Sequence, residues 1–236
     1  MRLRPPLTAS IALVLMTVVL GGCGGSSSGS SSGNGIASKA PAEIVALAKV
    51  AADSASSVHV SGSIVSGGSP ITLDLELLAG KGGRGRISEN GLSFNLIQVG
   101  GTAYISGSPA FYSHFGGPAA AQLFQGKWLK APTSNGSFST LGSLTNLSQL
   151  VDSALASHGT LQKGATTTVD RQQVITITNA SHGGTLYVAT TGKPYPIQIT
   201  KSGTNGGKIL FDRWNAPFTL VAPKNAIDLS QLQGNH

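Results

Sequence analysis

Alternation of apolar and polar residues at period two is the feature that most restricts how this chain can fold. Val58, Val60 and Ile64 alternate with His59, Ser61 and Ser63, and Ile71, Leu73, Leu75 and Leu77 alternate with Thr72, Asp74 and Glu76. Successive side chains on a strand point to opposite faces, so each run has one dry face and one wet face. Gly67-Gly68-Ser69-Pro70 lies between the two runs and predicts a hairpin turn. Further strand-like runs occupy residues 84–88, 92–99, 102–106, 127–131, 161–169, 173–179, 185–190, 197–201 and 208–214. Short links such as Ser181-His182-Gly183-Gly184 and Thr204-Asn205-Gly206-Gly207 join several of them. Connections so short allow antiparallel meanders and leave no room for the crossover helices of a parallel sheet.

Two segments carry helical spacing instead. Over residues 41–57, Ile44, Leu47, Ala48, Ala51 and Ala55 share one face, with Pro41 near the start and Glu43 in the first turn. A second helix is expected within residues 139–157, where Leu144, Leu147, Val151, Ala154 and Leu155 align. Residues 109–125 hold Phe111, Tyr112, Phe115, Leu123 and Phe124, the densest aromatic cluster in a chain with 6% aromatic residues. That segment fits equally a short helical lid or a loop packed over the open edge of the sheet. The expected fold class is α+β: a long, curved antiparallel sheet whose apolar face is covered by two or more helices.

The N-terminus has a different composition. Arg2 and Arg4 precede an uncharged stretch over residues 7–20, the arrangement of a secretory signal. Its about 14 residues fall short of the ~20 apolar residues that a membrane-spanning helix needs. Leu20-Gly21-Gly22-Cys23 follows at once and forms a lipobox, and Cys23 is the sole cysteine among 236 residues. Its thiol would accept diacylglycerol and become the first residue after cleavage, anchoring the protein to the outer face of the cell membrane. A lone cysteine also excludes an internal disulfide. The run GGSSSGSSSGNG at residues 24–35 cannot bury apolar area and predicts a flexible tether. The expected organisation is a lipoprotein signal peptide at 1–22, the lipidated cysteine and tether at 23–38, and one domain at 39–236.

Removing Arg2 and Arg4 from 16 basic residues leaves 14 against 9 acidic ones, a net charge of +5. These cations are scattered, and the densest group, Lys81, Arg84 and Arg86, lies among glycines without interleaved aromatics, which argues against nucleic-acid binding. Catalytic motifs fare no better. Gly25-Ser26-Ser27-Ser28-Gly29 matches a nucleophile elbow but sits in the tether, and Gly80-Lys81-Gly82-Gly83-Arg84-Gly85 matches a dinucleotide fingerprint but precedes a strand. His59, His114, His158 and His182 are widely separated, so neither a metal site nor a cofactor is expected, and each histidine is read as a surface or strand-edge residue. Asp74 and Glu76, two apart, form the wet face of a strand rather than an acid–base dyad. Trp128 and Trp214 are read as core residues first, with a ligand anchor or a membrane-interface contact as the alternative. No enzyme activity is expected.

Four segments carry a resemblance: the lipobox with its serine-rich tether, the first helix running into Ser57-Val58-His59-Val60, Gly126-Lys127-Trp128-Leu129-Lys130, and Phe211-Asp212-Arg213-Trp214 through Pro217, Pro223 and Ile227-Asp228-Leu229. In these the chain resembles cell-envelope lipoproteins of the LppX/LprG type, which share the half-barrel of the LolA and LolB carriers. The resemblance implies a half-barrel enclosing an apolar cavity for acyl lipids or glycolipids of an actinobacterial envelope; protein partners stay open, an export transporter being one option. The cleanest alternating sets, Ile71, Leu73, Leu75 and Leu77 with Leu92, Phe94 and Leu96, are then expected to line that cavity. The competing expectation is a structural or interaction lipoprotein with a filled core and no ligand. Replacing Cys23 with serine is expected to abolish lipidation and release the protein from the membrane; unchanged labelling by a fatty-acid analogue would refute the anchor.

Overall fold

The computed structural model describes residues 33–134, 136–155, 159–181 and 183–233. The signal peptide, Cys23, most of the tether, His158 and His182 lie outside the described residues. Strands β1 (Ser57–Ser66) and β2 (Ser69–Leu78) meet across Gly67-Gly68, whose φ values of 59° and 83° suit the turn type that matches strand twist. From β2 the chain meanders outward through β3 (Gly82–Glu89), β4 (Leu92–Val99), β5 (Thr102–Gly107) and β6 (Leu129–Pro132). It then restarts at the opposite edge with β7 (Leu161–Val169) and returns through β8 (Gln172–Asn179), β9 (Gly184–Ala189) and β10 (Pro196–Lys201) to β11 (Gly207–Asp212). β11 pairs with β1, so the two meanders fuse into one twelve-stranded sheet in the order β12-β6-β5-β4-β3-β2-β1-β11-β10-β9-β8-β7. The sheet is not closed into a barrel. The antiparallel expectation holds except for β12 (Ile227–Asp228), which lies parallel to β6. A long return segment after β11, rather than a hairpin, delivers it there.

One face of the sheet is dry across its centre: Val58, Val60, Leu73, Leu75, Leu77, Ile87, Leu96 and Phe211 all enter the core. Leu75 faces Gly85 on β3, and Gly85 in turn faces Leu96 on β4. Gly85 has φ 158°, and a Cβ there would stand 2.0 Å from the Asp74 carbonyl oxygen, so β3 presses against β2 more closely than a side chain would allow. At the β8–β10 end the expectation of a single dry face fails. Val174, Ala189 and Ile197 form a second small core on the opposite face, covered by Val169, Tyr187, Tyr195 and Leu210.

Helices shield the main core. α1 (Pro41–Asp53) buries Ile44, Val45, Ala48, Ala51 and Ala52. It ends before residue 57 because Ser57 is already extended and paired with Leu78, although Ala55 still reaches the core. α2 (Pro109–Phe124) is capped by Ser108, whose hydroxyl accepts from the Phe111 N–H at 3.2 Å, and it kinks at Gly117 before Pro118. The aromatic segment is therefore helical. The single helix expected within 139–157 is two, α3 (Gly136–Leu144) and α4 (Leu147–Leu155). Thr145 donates its hydroxyl back to the Leu141 carbonyl at 2.7 Å, and the Asn146 side chain accepts from the Gln149 N–H at 3.1 Å, so one helix is closed and the next capped within two residues. α5 (Leu229–Gln233) follows β12. Gly85→Ala is expected to cost about 2–3 kcal/mol and Asn146→Ala about 1 kcal/mol, both read from urea unfolding.

Candidate functional site

The space between helices and sheet is the first candidate. Of the seven residues expected to line a cavity, Leu73, Leu75, Leu77 and Leu96 are buried in the main core, while Ile71 and Phe94 pack against it half-buried. Leu92 is also half-buried but stands outside that cluster. All seven lie on β2 and β4. A largely apolar opening lies elsewhere, at the other half of the sheet: Val45 of α1 and Leu155 of α4 form its roof, and Leu161, Ile177, Leu186 and Ile199 of β7–β10 its floor. Its volume is about 80 Å³. Asn179 provides a polar group at this opening and accepts from the Ser181 N–H at 3.0 Å. Sequence reasoning placed these strands correctly but gave their apolar residues no role, since β8 alternates less cleanly than β2.

α2 covers the other half. Phe111 meets Phe94 at 5.2 Å between ring centroids, and the Tyr112 hydroxyl accepts from the Gly107 N–H at 2.9 Å. Phe115 and Leu123 remain 70% and 53% exposed. A larger groove of about 570 Å³ runs past Leu78, Lys81, Gln98, Thr145, Asn146 and Phe218. Its walls are as polar as they are apolar, so it does not have the character of an acyl chamber.

The wet face holds an ionic cluster. His59 is on the wet face of a central strand, not at a strand edge: Nδ1 lies 2.6 Å from Asp212 and Nε2 2.8 Å from Asp74, leaving the side chain 13% exposed. Glu76 pairs with Arg84 at 2.7 Å and Arg213 at 3.2 Å. Asp74 and Glu76 do share the wet face of β2, and the partner missed in the sequence is Asp212, 153 positions from His59. Its wet-facing place beside His59 becomes visible only with the β1–β11 register. His114 lies edge-on to Phe115 at 4.8 Å. Among the described residues no group of three or more histidine, cysteine or carboxylate side chains is placed to hold a metal ion. Trp214 packs against the core and stacks on Tyr195 at 4.5 Å; Trp128, expected inside, is half-buried on the wet side, because Leu129 takes the dry position of β6.

A half-open antiparallel sheet with helices against its dry face defines the architectural class. The same fold occurs in LprF from Mycobacterium bovis, at 13% identity and a TM-score of 0.53 over 78% of this chain and 96% of that one. It also occurs in the Mycobacterium tuberculosis lipoprotein LppX, at 17% identity and a TM-score of 0.51 over 77% of this chain and 98% of that one. The resemblance seen in the sequence thus extends to the fold. No family model and no curated protein matches the chain.

The roof of the apolar opening is tied by one cation. Lys49 of α1 contacts Asp152 of α4 and Asp53 of its own helix, each at 2.7 Å. Hydrogen bonding to Asp152, then to Asp53, holds its ammonium pKa up at about 12. A raised pKa contributes stability fully below the ordinary lysine value and loses it as pH rises through the folded value. The melting-temperature difference between the protein and Lys49→Met is therefore expected to stay flat from neutral pH to about 9 and to close from about 10 upward.

Proposed function

We propose that the chain is a lipoprotein, anchored through acylated Cys23 on the outer face of the cell membrane, that binds and carries lipids or glycolipids of the envelope. The observation that carries this reading is the way the dry face is covered. Helices α1 and α4 rest on β7–β10 through side chains, over an apolar opening, so they can part from the sheet without breaking any backbone ladder. At about 80 Å³ the opening is smaller than the ~300–1,000 Å³ of ligand pockets, and a lipid must lift the roof to enter. Each methylene moved from water into that space contributes about 0.8 kcal/mol toward the opening. Ile71, Leu73, Leu75, Leu77, Leu92, Phe94 and Leu96 form the wall that a long acyl chain would reach further in. Such a carrier requires no chemistry of its own, and a transporter that exports lipid is the fitting protein partner.

The small volume is also what favours a second reading, an interaction lipoprotein with a filled core. One pair of measurements separates them. Native mass spectrometry of protein purified from its own envelope is expected to reveal a bound lipid. Leu186→Trp, which fills the opening, is expected to remove that lipid while costing roughly 1–3 kcal/mol of stability. Absence of lipid from the unaltered protein would establish the filled core instead.

A further inference from the structure

We infer that the wet face of the sheet carries a binding groove for a neutral, linear oligosaccharide, on the side opposite the helices and independent of any lipid inside. The register aligns Asp74 with Arg86 and Asn95, and Glu76 with Arg84, across β2, β3 and β4. Trp128, standing on the wet side just before β6, closes the row, and these six residues, together with Gly85, Leu96 and Ile97, line a shallow groove of about 370 Å³. That is within the ~300–1,000 Å³ range of small-molecule sites.

Charge decides the class of ligand. Two carboxylates and two guanidiniums cancel, and most of them are held locally: Arg84 donates to Glu76 at 2.7 Å and stacks on Phe218, Arg86 donates to the Ser93 hydroxyl at 2.8 Å, and Asp74 lies 2.8 Å from His59. A phosphate would meet Asp74 and Glu76, and a cation would meet Arg84 and Arg86. A neutral polyol avoids both conflicts, because each hydroxyl donates once and accepts twice, and neighbouring hydroxyls match the two-pronged edges of carboxylate, guanidinium and carboxamide groups. Asn95, exposed in the middle of the row, offers both a donor and an acceptor. The indole of Trp128 supplies the remaining element, an electron-rich face for the C–H face of a sugar ring. Since the groove is shallow and open rather than enclosed, it suits a run of several sugar units instead of a single one.

The test uses the full chain in a zwitterionic, sugar-free detergent and follows the two indole N–H signals by NMR, with Trp214 on the core side as the internal control. The probes are linear hexasaccharides of glucose, mannose and N-acetylglucosamine, their monosaccharides, and hexagalacturonate as the charged competitor. At least one neutral hexasaccharide is expected to shift the Trp128 signal saturably and leave Trp214 unmoved, at least about tenfold more tightly than its monosaccharide or hexagalacturonate. Trp128→Ala is expected to abolish this binding, and Asn95→Ala, which leaves the aromatic in place, to weaken it about tenfold when followed at Trp128. The proposal is overturned if no neutral hexasaccharide shifts Trp128 at up to about 10 mM, if the monosaccharide or hexagalacturonate binds as well, or if calorimetric binding survives Trp128→Ala unchanged.

Discussion

The dry face of the twelve-stranded sheet must be kept from water, and side-chain packing by helices is what does so. A second sheet would have locked that face through a continuous interleaved core, whereas each helix covers a patch of its own. α1 and α4 cover the β7–β10 half, while α2 and its aromatic residues cover β4 and β5. Cover of this kind is divisible. Its pieces are held by side chains alone, apart from the sheet's backbone hydrogen bonds, which is the physical basis of the proposal that the interior admits an acyl chain.

The pairing of β1 with β11 makes a single sheet possible, since it joins two meanders that otherwise share no strand contact at that point. On the dry side of the seam Val60 pairs with Phe211, and both are fully packed. Its wet side carries His59 between Asp74 and Asp212. A histidine so placed connects three strands through two contacts, and so fixes the register of residues far apart in the chain.

Alternation made most of this legible: β2, with every second residue apolar, appears in the sequence almost as it does in the fold. Where interactions are local but compete with periodicity, the pattern misleads. Leu144, Leu147, Val151 and Leu155 satisfy one continuous helix, yet the Thr145 and Asn146 side chains bond to the backbone and split it. Longer-range effects were less accessible still. β12 is two residues long and carries no period, and Trp128 looks like a core residue until the pairing of Leu129 with Ile105 assigns its neighbour to the dry side. β8 buries Val174 on one face and Ile175 and Ile177 on the other, which erases the alternation that would have marked the apolar opening.

Where the domain is tied at its N-terminal end limits how such a carrier can work. Asn34 is fixed to the end of β9: its N–H donates to the Thr190 carbonyl at 2.7 Å and its side chain to the Ala189 and Gly192 carbonyls at 3.0 Å. With Cys23 as the proposed anchor, about 11 residues separate acyl group and fixed point, a span of at most ~40 Å when fully extended. A domain of this size has a radius of gyration of about 16 Å, so that limit is of the order of the domain's own diameter. Under the proposed function, this covalent limit keeps the domain close to the membrane that would hold Cys23 and rules out carrying cargo far from it. For the proposed carrier, loading from that same leaflet fits this limit, and transfer onward would require an acceptor within the same short reach.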